Sequence, residues 1–463
     1  MSDRIYTIPD YCKRILDLLE SNGYTAYIAG GAVRDLISGR EPHDYDIASS
    51  ARPEEVMALA KANDIRMIIE TGVKHGTVTL MSEGNPIEIT TFRNDGTYSD
   101  SRHPDIVLFS DNIEEDVRRR DFTMNALYLG SDGRVNDLVG GVNDIRAGIV
   151  RAVGDPDRRF TEDALRIMRG LRFASQHDLK IEEDTAAAMI RCGHLLKNIS
   201  AERIFREFTD MICGRAASRI IRENTDVLSV ILPELKEIEG YDQRSAYHDL
   251  DVLEHTLAVI DNLPFDEETG RRDAALSYAA LLHDIGKPAS VRMVGNMKRH
   301  EELGNEIALR FAEELKFPNE LKKTVSELVL LHDKFVEPTR ENVYRFMTEH
   351  DPEFIDILAV LQKADIMAHS SFGRDRINQL ESIKVIRDEL MEAGVPLKIK
   401  ELAISGDDLI KIGFPKGPVI GRVLNDIFEE VVKGNLDNKC ENIFTFISLK
   451  YPGTPGGHVG KSQ

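Results

Sequence analysis

Apolar and polar positions change rhythm once along this chain. Up to about Ile145, short apolar runs alternate with helical stretches. Tyr27-Ile28-Ala29, Thr77-Val78-Thr79-Leu80, Ile87 to Thr91 and Ala126 to Leu129 read as strands. Tyr11 to Glu20 and Pro53 to Ala62 read as helices, the second with proline at its first position. From about Asp155 onward, apolar residues recur at three and four positions. That spacing predicts helices at Glu162 to Ser175, Ala201 to Ile212, Val252 to Asn262, Arg272 to His283, Glu301 to Leu315 and Asn319 to Leu331. The expectation is a mixed α/β domain followed by an all-α remainder, with a Gly/Pro-rich, disordered end at 451–463.

Composition narrows this picture. The 463 residues allow about two to four domains with ample core. The chain holds no apolar run long enough to span a membrane and no signal-peptide pattern at its start. Cys12, Cys192, Cys213 and Cys440 lie far apart without a C-x-x-C pair, which predicts reduced thiols and a cytoplasmic protein. A formal net charge of −20 disfavours a globally basic nucleic-acid binder, so RNA contacts must rest on local clusters. Such clusters are Arg118-Arg119-Arg120, Arg158-Arg159, the helix-spaced Arg166, Arg169 and Arg172, and Arg203 with Arg206; Arg215, Arg219 and Arg222 read as a solvated face.

Candidate chemistry begins at Ala29-Gly30-Gly31-Ala32-Val33-Arg34-Asp35, followed by His43-Asp44-Tyr45-Asp46-Ile47. This reads as strand, glycine turn, helix and a second strand carrying two carboxylates. Asp44 and Asp46, two apart on a strand, project from one face and suit Mg²⁺ held against substrate phosphates. Gly30 and Gly31 let backbone N–H groups approach a phosphate, and Arg34 adds a guanidinium. Together they describe metal-dependent transfer of a nucleotidyl group from a nucleoside triphosphate. Arg119-Arg120-Asp121-Phe122-Thr123-Met124-Asn125 can grip phosphate oxygens and a ribose hydroxyl, and Asp137-Leu138-Val139-Gly140-Gly141 marks another close turn.

Glu162-Asp163-x-x-Arg166 opens a predicted helix, where Asp163 and Arg166 are neighbours at i,i+3. Cytosine and adenine both present an amino donor beside a ring-nitrogen acceptor. A carboxylate accepts from the first and a guanidinium donates to the second. Uracil and guanine reverse that order and leave both side chains unpaired, at about 1–3 kcal/mol per group. The other reading of the pair is an ordinary helix salt bridge.

These motifs, in this order, resemble class II tRNA nucleotidyltransferases, the CCA-adding enzymes of the DNA polymerase β superfamily, grouped with bacterial poly(A) polymerases. The resemblance implies an α/β nucleotidyltransferase head over 1–147, a helical neck with the base-recognition motif over 148–215 and a helical tRNA-binding body and tail over 386–450. It implies that Asp44 and Asp46 bind two Mg²⁺ ions, with Glu88 as a possible third carboxylate. Gly30, Gly31, Arg34, Arg120, Asp121, Asn125, Asp163 and Arg166 would bind nucleotide. Arg119, Asp137, Gly140, Gly141, Glu162 and the neck pair Glu202-Arg203 would support them. Thr91 to Asp105 resembles the flexible loop of enzymes that add A after CC.

A second constellation fills 216–385. His255, His283-Asp284 and Asp365, in this order, resemble an HD-domain phosphohydrolase, and His300 and His332 match extra histidines of some members. Imidazole with carboxylate suits a transition metal such as Mn²⁺ or Ni²⁺. His283-Asp284 is expected to end its helix, capped by Gly286 with Pro288 beyond.

The resulting expectation is a multidomain enzyme: head, all-α neck, HD domain and tail. It would add C, C and A to the tRNA 3′ end from CTP and ATP and would carry an HD phosphohydrolase activity. The alternatives are an A-adding enzyme or poly(A) polymerase, and an RNA-end or nucleotide phosphohydrolase with a nucleotide-sensing head. No membrane partner is expected, and oligomeric state is left open.

Overall fold

The computed structural model describes residues 4–69, 73, 76–95, 107–243, 249–369 and 375–452. The middle of the loop expected at Thr91 to Asp105, and most of the expected disordered end, lie outside these residues. The chain forms two compact units. One comprises 1–239, 264–278 and 307–322; the other comprises 240–263, 279–306 and 323–463.

The first unit is built on a mixed sheet of β1 (Ala26–Ala29), β2 (Asp46–Ser49), β3 (Arg66–Ile69), β4 (Thr77–Ser82), β5 (Asn85–Thr91), β8 (Leu127–Leu129) and β9 (Val135–Asp137). A separate two-stranded ribbon pairs β6 (Arg93–Asp95) with β7 (Val107–Phe109). The sheet order is β3-β4-β5-β2-β1-β8-β9, and β2 with β5 is its parallel pair. Alternation sorts the strands' side chains. Ile28, Ile47, Val78, Leu80, Ile87 and Ile89 face a core with Cys12, Ile15, Leu16 and Leu19 of the helix Asp10–Ser21. Each such side chain contributes about 1.5–3 kcal/mol by leaving water. The opposite face carries Ala29 and Ala48, whose small side chains leave room for a cavity.

β1 ends at Gly30, whose φ of 75° is open to glycine and strained for other residues. The helix Gly31–Ile37 follows. The register pairs Ala29 with Asp46, so the glycine turn stands beside the first residue of β2. Asp44 precedes that strand rather than lying on it, because pairing with β1 begins only at Asp46.

The predicted helix from Glu162 to Ser175 is two helices, Pro156–Glu162 and Leu165–His177. Asp163 sits in the break with extended backbone, φ −143° and ψ 102°, and its Oδ1 accepts from Leu165 N at 3.0 Å. An acid two residues before a helix can cap it, and that local bond competes with continuing the first helix. Helix Leu165–His177 is tied to Ala201–Ile212 by Arg172 donating to Glu207 at 2.6 Å. Phe208, Tyr278, Phe311 and Phe317 form an aromatic core nearby.

The second unit is helical. Its helices Val252–Asn262 and Pro352–Ala368 are joined by Asn262 donating to the Ala364 carbonyl at 3.0 Å. His283 to Gly286 form a turn after the helix Ala274–Leu282, as expected. Gly286, however, has φ −78° and leads straight into the helix Lys287–Val294, with Pro288 inside its first turn. Glycine is needed here for approach, not for a left-handed cap. A Cβ on Gly286 would lie 2.3 Å from the His300 carbonyl oxygen and 2.4 Å from Gly304 N.

All four cysteines are free thiols, three of them buried. Among the described residues no helix is long and apolar enough to cross a membrane.

Candidate active site and a second ligand cluster

A cavity of about 610 Å³ opens on the alanine face of the sheet. Its floor is the Gly30-Gly31 turn with Asp44, Asp46 and Glu88. Ile47 pairs with Ile89 across the parallel strands, which sets Glu88 of β5 beside Asp46. Asp46 opens onto the cavity, yet its carboxyl is pushed up to about 6. Loss of water raises it most, then the charges of Glu88 and Asp44, while Arg120 pulls it down. A carboxylate raised by the charges of its neighbours favours a bound cation, and an all-oxygen donor set fits Mg²⁺.

A guanidinium network forms the wall. Arg34 donates to Asn125 Oδ1 at 2.8 Å and to Asp35 at 3.1 Å. Asn125 Nδ2 reaches Asp121 Oδ1 at 3.4 Å, and Arg169 donates to Asp121 Oδ2 at 2.8 Å. Burial opposes the charge on Asp121, but Arg169, the Phe122 N–H and Arg166 together outweigh it and hold the carboxyl down to about 2. Arg119 and Arg120 also line the cavity.

At the far wall the expected i,i+3 pair is replaced by a different pairing. Asp163 Oδ2 accepts from Arg203 Nη2 at 3.1 Å. Arg166 instead donates to Glu162 at 3.0 Å and to the carbonyls of Arg159 and Arg119 at 3.1 and 2.9 Å. The helix break explains the change, since Asp163 is no longer on the helix face that carries Arg166. All three residues still line the cavity. Arg166, Arg169 and Arg172 each have an acidic partner within the unit.

Other supporting residues stand further out. Asp137 accepts from the backbone N–H groups of Gly140, Gly141 and Val142 at 2.8–3.0 Å. That turn presses Gly141 against Thr123, where a Cβ would meet the carbonyl oxygen at 2.1 Å. It thereby braces the Asp121 to Asn125 segment. Glu162 binds Arg158, Arg159 and Arg166. Glu202 is exposed and pairs with Lys316 at 2.6 Å. Asp116, Tyr128 and the Arg203–Asp163 link escaped sequence reasoning; an acid three and four residues before Arg119 and Arg120 was the available signal for Asp116.

The second unit has a cavity of about 550 Å³. His255, His283 and Asp365 converge in one group of metal-ligand type, and Asp284, His300 and His332 in another. Asp284 faces both: Oδ2 is 3.6 Å from His255 Nε2 and 3.3 Å from His283 Nε2, while Oδ1 is 3.4 Å from His300 Nε2. His283, His300 and His332 each set Nδ1 on a backbone carbonyl at 2.7–2.8 Å. A carbonyl can only accept, so Nδ1 carries the proton and Nε2 points inward. Lys287 donates to Asp284 Oδ2 at 2.5 Å and to Gln243 at 2.6 Å. Against burial, Lys287 and His283 hold Asp284 well below the carboxylate range; burial and His283 push His332 down to about 3.

A mixed sheet with a glycine turn and carboxylates under a guanidinium wall, followed by helices, defines the head of a nucleotidyltransferase. Residues 26–151 match the poly A polymerase head domain, 178–239 a probable RNA- and SrmB-binding site of polymerase A, and 302–447 a putative tRNA nucleotidyltransferase domain 2. The chain is 35% identical to a CCA-adding enzyme of Leuconostoc mesenteroides over 93% of this chain and 94% of that one. It is 34% identical to one of Ligilactobacillus salivarius over 94% and 96%. Its fold is similar to the Bacillus stearothermophilus CCA-adding enzyme crystallised with CTP, at a TM-score of 0.71, 28% identity and 96% and 98% coverage. The chain belongs to the class II CCA-adding enzyme family.

Proposed function

We propose that this protein adds C, C and A to the 3′ end of tRNA from CTP and ATP, with its chemistry in the first unit's cavity. The observation that carries this is Asp46, pressed against Glu88 and Asp44 beside the Gly30 turn, within a chain of the CCA-adding family. Asp44 and Asp46 would hold two Mg²⁺ ions, which when bound supply Lewis-acid charge to the α-phosphate and the attacking 3′ hydroxyl. Backbone N–H groups at Gly30 and Gly31 hold phosphate oxygens. Arg34, Arg119 and Arg120 neutralise the triphosphate as pyrophosphate leaves. Asn125 and Asp121 position the ribose. Asp163 accepts from the exocyclic amine that cytosine and adenine share, and Arg166 donates to the ring nitrogen. The wall that reads the base is protein, so no nucleic-acid template is required.

Segments divide the work as follows: head 1–147, base-reading neck 148–215, HD domain 216–385 and tRNA-binding tail 386–450. The protein works in the cytoplasm. Asp44→Asn and Asp46→Asn each keep shape and remove a charge. Incorporation should fall to background while tRNA binding persists; wild-type incorporation by either variant rejects the metal assignment.

The second unit's donor cluster supports an additional reading. His255, His283, Asp284 and Asp365 would hold a transition metal such as Mn²⁺ or Ni²⁺, with His300 and His332 on the other oxygen of Asp284, and the site would hydrolyse a phosphoester. His283→Ala combined with Asp284→Ala should empty that site by elemental mass spectrometry and leave nucleotide addition intact. Full metal occupancy in the double variant would remove the assignment.

A further inference from the structure

Asp116 belongs to none of the motifs above, yet it is fully buried, with none of its surface exposed. It lies on the short helix Ile113–Arg118, and each of its oxygens serves a different guanidinium. Oδ1 accepts from Arg119 Nη2 at 2.6 Å and Nε at 2.8 Å. Oδ2 accepts from Arg120 Nη2 at 3.1 Å and Nε at 3.2 Å. Both arginines therefore spend their Nε–Nη2 edge on one carboxylate. Nη1 of Arg120 reaches the glycine turn, 3.4 Å from where a Cβ of Gly30 would stand.

The carboxylate is itself fixed to the sheet. Tyr128 donates its hydroxyl to Asp116 Oδ2 at 2.6 Å, and Tyr128 lies on β8 in register with Ala29. Arg120 also packs over the Tyr128 ring, 5.2 Å from its centre. Burial works against the charge, but Arg119 and Arg120 together hold the carboxyl at about 2, so it is ionised throughout the working range. Two guanidiniums this close would repel without it. With it, they form a double fork of net charge +1, each pinned by its Nε–Nη2 edge, on the lining of the cavity.

We propose that Asp116 is a positioning residue for the triphosphate: it aligns Arg119 and Arg120 so that their remaining N–H groups meet the phosphate oxygens of the incoming nucleotide. The inference rests on the reading of this cavity as the nucleoside triphosphate site. Its consequence is independent of the base, because phosphates are common to CTP and ATP. It is also independent of tRNA affinity.

The test uses the full-length protein with Asp116→Asn, Asp116→Glu, Tyr128→Phe and Arg120→Ala. KM and kcat are measured for CTP, ATP and tRNA, inorganic tripolyphosphate serves as a competitive probe, and melting is followed in parallel. Losing the charge that orders two charge-assisted contacts should raise KM for CTP and ATP together, about tenfold to a hundredfold, and weaken tripolyphosphate inhibition by the same factor. KM for tRNA and the preference for CTP over UTP should not move, and Asp116→Glu should recover part of the loss. Tyr128→Phe, which removes one hydroxyl and keeps the packing, should shift the same constants about two- to fivefold and guards against a variant that fails to fold. Unchanged nucleotide KM in Asp116→Asn, or a parallel loss of melting temperature, tRNA affinity and kcat, overturns the inference. If Arg120→Ala also leaves nucleotide KM and tripolyphosphate inhibition unchanged, the fault lies instead in the triphosphate reading of the cavity.

Discussion

Base selection without a nucleic-acid template should depend on Asp163, and the size of that dependence follows from its surroundings. Its carboxylate has two protein partners, the Leu165 N–H on Oδ1 and Arg203 Nη2 on Oδ2. Each oxygen retains a lone pair for an exocyclic amine. Asp163→Ala removes that acceptor, a charge-assisted contact worth about 1.5–3 kcal/mol. At about 1.4 kcal/mol per factor of ten, kcat/KM for CTP and ATP should fall about 10- to 150-fold. The loss of the Arg203 ion pair adds little, because Arg203 is 26% exposed and water can replace the carboxylate, about 1 kcal/mol or less. Losing the cap on Leu165 costs about 0.5–2 kcal/mol of stability, so the variant should fold. Asp163→Asn is the sharper probe. Its side-chain oxygen can keep the cap while its amide N–H₂ faces the base, where it suits the uracil O4 acceptor and not the cytosine amine. Single-turnover incorporation of each of the four nucleotides, on tRNA ending before C and on tRNA ending in CC, measures this directly. The CTP-to-UTP ratio should fall in both variants, further in Asp163→Asn. An unchanged ratio in a variant that folds and binds tRNA refutes base reading by this carboxylate.

Two further outcomes follow from the same geometry. Asp121 is buried and drops from an ordinary 3.8 to about 2, so its contacts with Arg169, the Phe122 N–H and Arg166, net of burial, contribute about 2 kcal/mol that is present above about pH 4 and lost as pH falls from 4 to 2; melting midpoints of Asp121→Asn should show a shallower decline over that window than wild type, and identical slopes would refute it. Gly286→Ala should lower the melting temperature and weaken the metal binding proposed for the second unit, since its methyl group would meet backbone atoms of His300 and Gly304 at 2.3–2.4 Å; unchanged metal uptake by the variant would show that the approach is not needed.

The elements legible in the sequence were those with a strong period or a punctuating residue. Pro53–Ala62, Ala201–Ile212, Val252–Asn262 and Asn319–Leu331 coincide with their predicted bounds. The motif groups also come together: Gly30, Gly31, Asp44 and Asp46 line one cavity, and His255, His283, Asp284 and Asp365 cluster in the second unit. What periodicity hid was competition between local bonds. The apolar rhythm runs unbroken through Asp163, but its side chain caps Leu165 and splits the helix, which frees it to pair with Arg203, 40 residues away. Asp116 was hidden for another reason. Its neighbours Glu114 and Glu115 make it look like part of an acidic surface turn, and only the sheet, through Tyr128, shows that it points inward. Glu88 was already a possible third carboxylate by resemblance, and the parallel pairing of β2 and β5 sets it beside Asp46.

One protein cavity is proposed to choose and join C, C and A in turn. The most direct measurement of this is sequencing of product 3′ ends after incubating the full-length protein with tRNA lacking CCA, Mg²⁺, and CTP or ATP singly and together. CTP alone should give a tRNA ending in CC, and both nucleotides one ending in CCA and extended no further. A run of A added with ATP alone would assign the poly(A) alternative, and an end left unextended here while tRNA ending in CC gains a single A would assign the A-adding one; either would contradict the proposal. So would an unextended or shortened 3′ end under all conditions, which would leave the head as a nucleotide sensor beside a phosphohydrolase.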